Sequence, residues 1–232
     1  NAPKYINTPQ TLLYDKGRQV FGLHLAKEAI RKADYVVIVE GNLDVVSSHQ
    51  AGIGQVVATA GTAMTEDHLR SLSRLTHDIR LSFDRDKAGI AATERSIGIA
   101  SKLGLRLSII SLPDGYKDPD EAIQADPQIW QKVIEGPQDA FEWLLEDYAT
   151  RYDLTTAEGK RQATTKALEL VSQLTDAVEQ EHYLKLLAVR TDTSFRAITA
   201  KLNDLHKTDE PKRLKASKAA TVASTPAQYA NQ

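Results

Sequence analysis

Up to Leu112, short β-branched or apolar runs alternate with stretches whose apolar positions recur every three to four residues. The run Tyr35-Val36-Val37-Ile38-Val39 predicts a strand, and Val56-Val57-Ala58, Ile79 to Phe83 and Leu105 to Leu112 predict three more. Between them the spacing predicts a short helix from about 43 to 51, a helix starting at Thr65, Asp67 and His68, and an amphipathic helix from Asp86 to Leu103. Val20, Leu23 and the run to Ala33 predict a helix ahead of the first strand. Alternation of this kind implies βαβ crossovers, hence an α/β fold with a mainly parallel sheet and helices on both faces.

After Pro113-Asp114-Gly115 no strand pattern is evident. Helices are expected at 120–125, 127–135 and 138–150, then three longer amphipathic ones at 157–174, 177–190 and 194–205. Leu168, Val171, Leu174, Leu184, Leu187 and Val189 form the expected buried stripe of a small helical bundle. Residues 1–14, with two prolines, Asn7 and two tyrosines, suggest an irregular lead-in. From Lys207 to Gln232 large apolar residues almost vanish, and a disordered tail or linker is expected.

The 232 residues, 41% of them hydrophobic, suffice for a buried core in one large or two modest domains. With no cysteine, disulfides, thiolate zinc sites and cysteine nucleophiles are excluded, so a metal must be held by oxygen or histidine, and no zinc site is expected. No apolar run approaches the roughly 20 residues of a membrane helix, so no membrane partner is expected. A net charge of -2 means that any nucleic-acid-binding face must be local. The chain starts at Asn1, and it reads as a piece of a longer protein.

Two expected strands end in carboxylate. One stops at Glu40-Gly41 with Asp44 four residues on, and another leads into Asp84-Arg85-Asp86. Acids at the carboxyl ends of strands in an open α/β sheet can meet in one crevice. Carboxylate oxygens suit Mg²⁺, which bridges to substrate phosphates, so the pattern points to metal-dependent phosphoryl chemistry.

Read in order, Glu40-Gly41-Asn42-Leu43-Asp44-Val45-Val46, Gly61-Thr62-Ala63, Phe83-Asp84-Arg85-Asp86-Lys87-Ala88-Gly89, Leu112-Pro113-Asp114-Gly115 and Asp118-Pro119-Asp120 resemble the Toprim domain of bacterial DnaG-type DNA primases. Upstream, Pro3-Lys4-Tyr5-Ile6-Asn7-Thr8-Pro9 and Asp15-Lys16-Gly17-Arg18 are similar to the segment preceding Toprim there. Downstream, Tyr152 to Lys160 is similar to the family's helical subdomain. The resemblance implies a lead-in at 1–33, a Rossmann-like Toprim domain at 34–115, a helical subdomain at 116–206 and a tail at 207–232. It implies a DNA-directed RNA polymerase core making short primers from ribonucleoside triphosphates on a single-stranded DNA template, in the bacterial cytoplasm at the replisome.

In that resemblance Glu40, Asp84 and Asp86 are catalytic and bind Mg²⁺ or Mn²⁺, Asp44, Asp118 and Asp120 complete the acidic pocket, and Lys4, Tyr5, Asn7 and Lys16 line the nucleotide and template path. Two-metal nucleotidyl transfer needs several carboxylates in one pocket, and lysines nearby offset their repulsion of a triphosphate. Departures are also visible. Arg85 stands where glycine is usual, the family's zinc-binding module is missing, and the replicative helicase is expected to dock through a domain absent here. Rival readings are a Toprim nuclease using the same acids, or a non-catalytic fragment that binds nucleic acid or a partner. The plainer readings make Asp84 a helix cap with Asp86 favoured by the dipole, Asp118-Pro119-Asp120 a helix start, Asp44 a first-turn acid, and Lys4 and Lys16 solvated lysines.

Overall fold

Four apolar runs become the parallel part of one sheet: β1 (Val36–Val39), β2 (Val56–Ala58), β3 (Asp78–Ser82) and β4 (Arg106–Ile109). The computed structural model describes residues 11, 15–59, 61–83 and 86–207. Every residue of β1 and β2 is buried, as strands covered on both faces must be. A fifth strand, β5 (Gln138–Asp139), pairs antiparallel with β4, Ser108 opposite Asp139 and Ile109 opposite Gln138. This corrects the expectation of no strand beyond residue 113. Two half-buried polar residues carry no apolar period, and only the edge of β4 draws them into the ladder.

The strand order is β2-β1-β3-β4-β5. The helices of this unit are α1 (Leu23–Ala33), α2 (Asn42–Gln50), α3 (Glu66–Leu72), α4 (Lys87–Lys102), α5 (Pro119–Ala125), α6 (Pro127–Glu135) and α7 (Ala140–Arg151). The β1-α2-β2 connection runs one way across the sheet, whereas β2-α3-β3 and β3-α4-β4 run the other way. Right-handed crossovers therefore put α2 on one face and α3 and α4 on the opposite face. On the α2 side, Val37, Val39, Val56 and Ala58 join Val45, Ile123, Trp130 and Ile134 in one core cluster, so α5 and α6 share the face with α2. Proline at the first position of both α5 and α6, behind the capping acids Asp118 and Asp126, explains two short helices in direct succession.

This compact unit comprises the described residues to Arg151 together with Gln173–Asp176, where Thr175 N donates to Ser101 Oγ at 2.9 Å. A second unit begins at Tyr152 and resumes at Ala177, with α8 (Ala157–Val171), α9 (Ala177–Arg190) and α10 (195–207). Thr156 caps α8 by accepting from Gly159 N at 3.0 Å, and the chain folds back so tightly that a Cβ on Gly159 would lie 1.9 Å from the Asp153 carbonyl oxygen. Lys201 Nζ ties α10 to α8 through Arg161 O and Thr164 Oγ1, both at 2.7 Å.

Leu168, Val171, Leu174, Leu184 and Leu187 are buried as the stripe predicts. Val189 is not: it is 79% exposed. The register explains the difference, since Leu184 and Leu187 follow the i, i+3 spacing whereas Val189 is two residues past Leu187, about 200° around the helix. Lys207, expected in the tail, is helical, and the rest of that expected tail lies outside the described residues. Among the described residues no helix is long and apolar enough to cross a membrane.

Candidate functional site

The two neighbours of β1 set the position of the site. The next strand in sequence, β2, lies on one side of β1, and β3 and β4 lie on the other, so the chain reverses its winding between β1 and β3. A crevice opens at the carboxyl ends of the strands at such a switch point. Val39 stands opposite Ser82 in the parallel register, so β1 runs into Glu40 beside the point where β3 runs into Phe83. Glu40 is exposed there. Asp84, like Arg85, lies outside the described residues, as do Lys4, Tyr5 and Asn7.

Asp86 is described, and it is itself the N-cap of α4: its Oδ1 accepts from Ala88 N and Gly89 N, both at 2.8 Å. The plainer reading gave the cap to Asp84, which lies outside the described residues; α4 starts at Lys87 and its N-cap is Asp86. Asp118 caps α5 in the same way, accepting from Glu121 N at 2.8 Å. These hydrogen bonds fix each carboxylate at a helix N-terminus, where the dipole also favours negative charge.

Asp44 lies deepest. Only 7% exposed, it sits in the first turn of α2, where Oδ2 accepts from Gly41 N at 3.2 Å and Oδ1 from Asp120 N at 3.3 Å. One carboxylate thus ties the loop leaving β1 to the start of α5, across 76 residues of sequence. Burial pushes its pKa up to about 6, the two amide hydrogen bonds pull it down, and the charges of Asp118 and Asp120 push it up again. Gly41 has ordinary extended dihedrals (φ -96°, ψ 146°), so what it supplies is space: a Cβ there would stand 2.6 Å from Asp44 Oδ2. Gly41→Ala is therefore expected to push the Asp44 carboxylate off the Gly41 amide and to weaken divalent-ion binding about 10–100-fold, the usual cost of losing support for a ligand, as a Mn²⁺ titration would measure.

Asp120 is turned elsewhere. Its oxygens accept from Ser47 Oγ and from Gln124 Nε2, the latter at 2.8 Å, so its side chain braces α5 against α2. Lys16 is half-buried in a turn at the start of α3, which follows β2 and so lies at the same carboxyl edge of the sheet as Glu40. Among the described residues no group of three or more aspartates, glutamates or histidines stands close enough to hold a metal ion. Sequence reasoning had no sign of the support beneath Asp44: Trp130 Nε1 donates to Ser48 Oγ at 3.0 Å, and Ser48 Oγ donates to the Asp44 carbonyl at 2.6 Å. Trp130 is 82 residues from Ser48, and an apolar position in a short helix gives no hint of such a partner.

The chain is similar to known proteins over most of its length. A Toprim-like family matches residues 37–123, and a family described as the DnaB-helicase binding domain of primase matches residues 141–195. A DNA primase of Clostridium acetobutylicum is 34% identical over 200 residues, 85% of this chain and 33% of that protein. The chain thus spans about a third of the length of the curated relatives it matches. A crystal structure of a DNA primase domain from Pseudomonas aeruginosa superposes with a TM-score of 0.75 at 31% identity, covering 88% of this chain and 64% of that one. A DnaG primase catalytic domain bound to single-stranded DNA gives 0.70 at 31% identity, covering 81% and 62%. The match to the helicase-binding family falls on helices α7 to α9. Helical periodicity marked those residues as a bundle but carries no label for a partner.

Proposed function

Since the chain belongs to the bacterial DnaG-type primase family, we propose that it carries the metal-binding acids and part of the template path for primer synthesis from ribonucleoside triphosphates on single-stranded DNA, in the cytoplasm at the replication fork. The observation that supports this most is the adjacency of the ends of β1 and β3 at the switch point, where β1 leads into Glu40, with Asp44 buried in the first turn of α2. In this reading residues 1–33 are the lead-in, 34–115 the Toprim part and 116–206 the helical part.

The residues fit a hard divalent cation. The donors are all oxygens, one carboxylate is desolvated among other acids, and Asn42 Oδ1, two positions from both Glu40 and Asp44, is buried with no hydrogen-bond partner among the described residues. An unsatisfied buried acceptor is costly unless something cationic or a donor meets it. Glu40, Asp84 and Asp86 would hold Mg²⁺ or Mn²⁺, with Asp44 and Asp118 behind them; when bound, such ions neutralise charge on the attacking and leaving oxygens. Glu40, exposed at the end of β1, would accept the proton of the attacking hydroxyl or ligate. Asp86 and Asp118, fixed by their caps, hold their carboxylates without rotamer search. Lys16, with Lys4, Tyr5 and Asn7, would meet phosphates of nucleotide or template.

The direct test is incorporation of labelled ribonucleotides on a single-stranded template with Mg²⁺ or Mn²⁺, by this chain and by the longer enzyme that contains it. Metal-dependent incorporation supports the reading. Metal-dependent cleavage of DNA without incorporation would replace it with a nuclease.

The helical unit would meet the replicative helicase. Its concave surface of about 620 Å³ at the end of α9 is lined by Lys185, Ala188, Val189, Thr193 and Phe195, with Val189 79% and Phe195 41% exposed. Large apolar side chains left in water beside one another mark an interaction surface. Val189→Glu/Phe195→Glu is expected to weaken helicase binding by about 2 kcal/mol or more, roughly thirtyfold, with helix content unchanged, by calorimetry against the purified helicase.

A further inference from the structure

We infer that His68, with Thr65, clamps the turn that presents Lys16, and so acts as a positioning residue for nucleic-acid phosphate; the functional half of this rests on the Lys16 assignment above. His68 is completely buried at the start of α3. Its Nδ1 accepts from Thr65 N at 3.3 Å, so the ring hydrogen is on Nε2, which donates to the Lys16 carbonyl at 2.9 Å. Thr65 Oγ1 accepts from His68 N at 3.1 Å and donates to the Gly17 carbonyl at 2.5 Å. The capping pair of α3 thus reaches out to two consecutive carbonyls of one turn. Inside that turn Gly17 N donates to Asp15 Oδ1 at 2.9 Å and Arg18 N to Asp15 O at 3.1 Å. Further along, Phe21 and Ala58 exchange backbone hydrogen bonds of 2.8 and 3.1 Å, which fixes the lead-in to the edge of β2.

Helix capping alone does not need histidine. A capping box is completed by Glu or Gln at this position, whose side chain only has to accept from the cap residue's N–H. Imidazole has two nitrogens on opposite sides of a rigid ring, so it can accept inward and donate outward at once. Glutamate has no hydrogen to send outward, whereas glutamine has an amide that donates. The outward bond, with no part in the helix, lands on the residue carrying the ammonium group. Holding the carbonyl of Lys16 fixes its Cα at the carboxyl edge of the sheet, and less freedom is then lost when the side chain meets a phosphate.

The substitutions follow from that chemistry. His68→Glu keeps the cap and removes the clamp, His68→Gln keeps both, and Asp15→Ala loosens the same turn without touching α3. In the full chain, amide exchange at Gly17 and Arg18 should accelerate in His68→Glu and Asp15→Ala but not in His68→Gln. Binding of a labelled single-stranded DNA oligonucleotide, read by anisotropy over a salt series, should weaken about two- to tenfold in the same two variants, approaching Lys16→Ala. Adding His68→Glu to Lys16→Ala should cost nothing more. Unchanged exchange in His68→Glu overturns the clamp. If Lys16→Ala weakens binding and both clamp variants bind like the parent, the positioning role is overturned while the Lys16 assignment stands. If Lys16→Ala itself binds like the parent, the Lys16 assignment falls, and the functional half of the inference with it.

Discussion

Glu40→Gln is expected to abolish templated ribonucleotide incorporation in the longer enzyme while leaving the fold intact. Glu40 is exposed at the end of β1, so the substitution keeps its volume and disturbs no core. It removes a charge that directly follows the end of β1, the strand paired with β3. Charge neutralisation by bound ions is worth several kcal/mol in the transition state, so a rate loss of about 10²–10⁴-fold is expected in a primer-extension assay. Asp44→Asn should differ from it in its dependence on pH. The Asp44 carboxyl, pushed from 3.8 up to about 6 in the folded chain, keeps its proton where the unfolded chain has already lost it. Without metal, its contribution to stability is greatest below pH 4, declines as pH rises towards 6, and is unfavourable above that. A divalent ion must displace that proton, so below pH 6 binding should release protons and weaken as pH falls. In Asp44→Asn both pH effects should vanish.

Trp130→Ala should be the most destabilising single change. Trp130 is completely buried in the cluster that joins α6 to β1, β2 and α2. Truncating such a side chain costs about 3–5 kcal/mol, a large part of an ordinary domain's stability. Here the loss travels to the site, because the indole N–H holds Ser48 and Ser48 holds the Asp44 carbonyl. Trp130→Phe separates the two effects: it keeps most of the apolar burial and deprives Ser48 of its donor, an expected cost of about 1 kcal/mol. Urea unfolding of both variants, with Mn²⁺ affinity measured alongside, would check this; a Trp130→Ala protein as stable as the parent would contradict the packing described.

Much of this was legible in the residues themselves. Val36 to Val39 and Val56 to Ala58 are all-buried strands because β-branched runs flanked by turn residues can do little else, and Pro119 and Pro127 behind aspartates mark helix starts almost unaided. The family resemblance was carried by acids at the ends of those runs. Features set by partners distant in sequence were not legible. β5 exists only because β4 has an edge, Asp120 turns to Ser47 instead of outward, and Val189 leaves the stripe by register. His68 could be read as a helix start, but its outward bond to Lys16 depends on a turn 52 residues earlier.

The measurement that bears most directly on the central claim is Mn²⁺ binding to this chain at pH 5 and pH 8, by calorimetry in two buffers of different ionisation heat, with Glu40→Gln and Asp84→Ala/Asp86→Ala in parallel. If Glu40 and the aspartates after β3 hold the ion and Asp44 contributes, binding is tighter at pH 8, releases protons at pH 5, and is at least tenfold weaker in both variants. Binding that ignores pH and is equal in all three proteins would place the ion elsewhere and contradict the account.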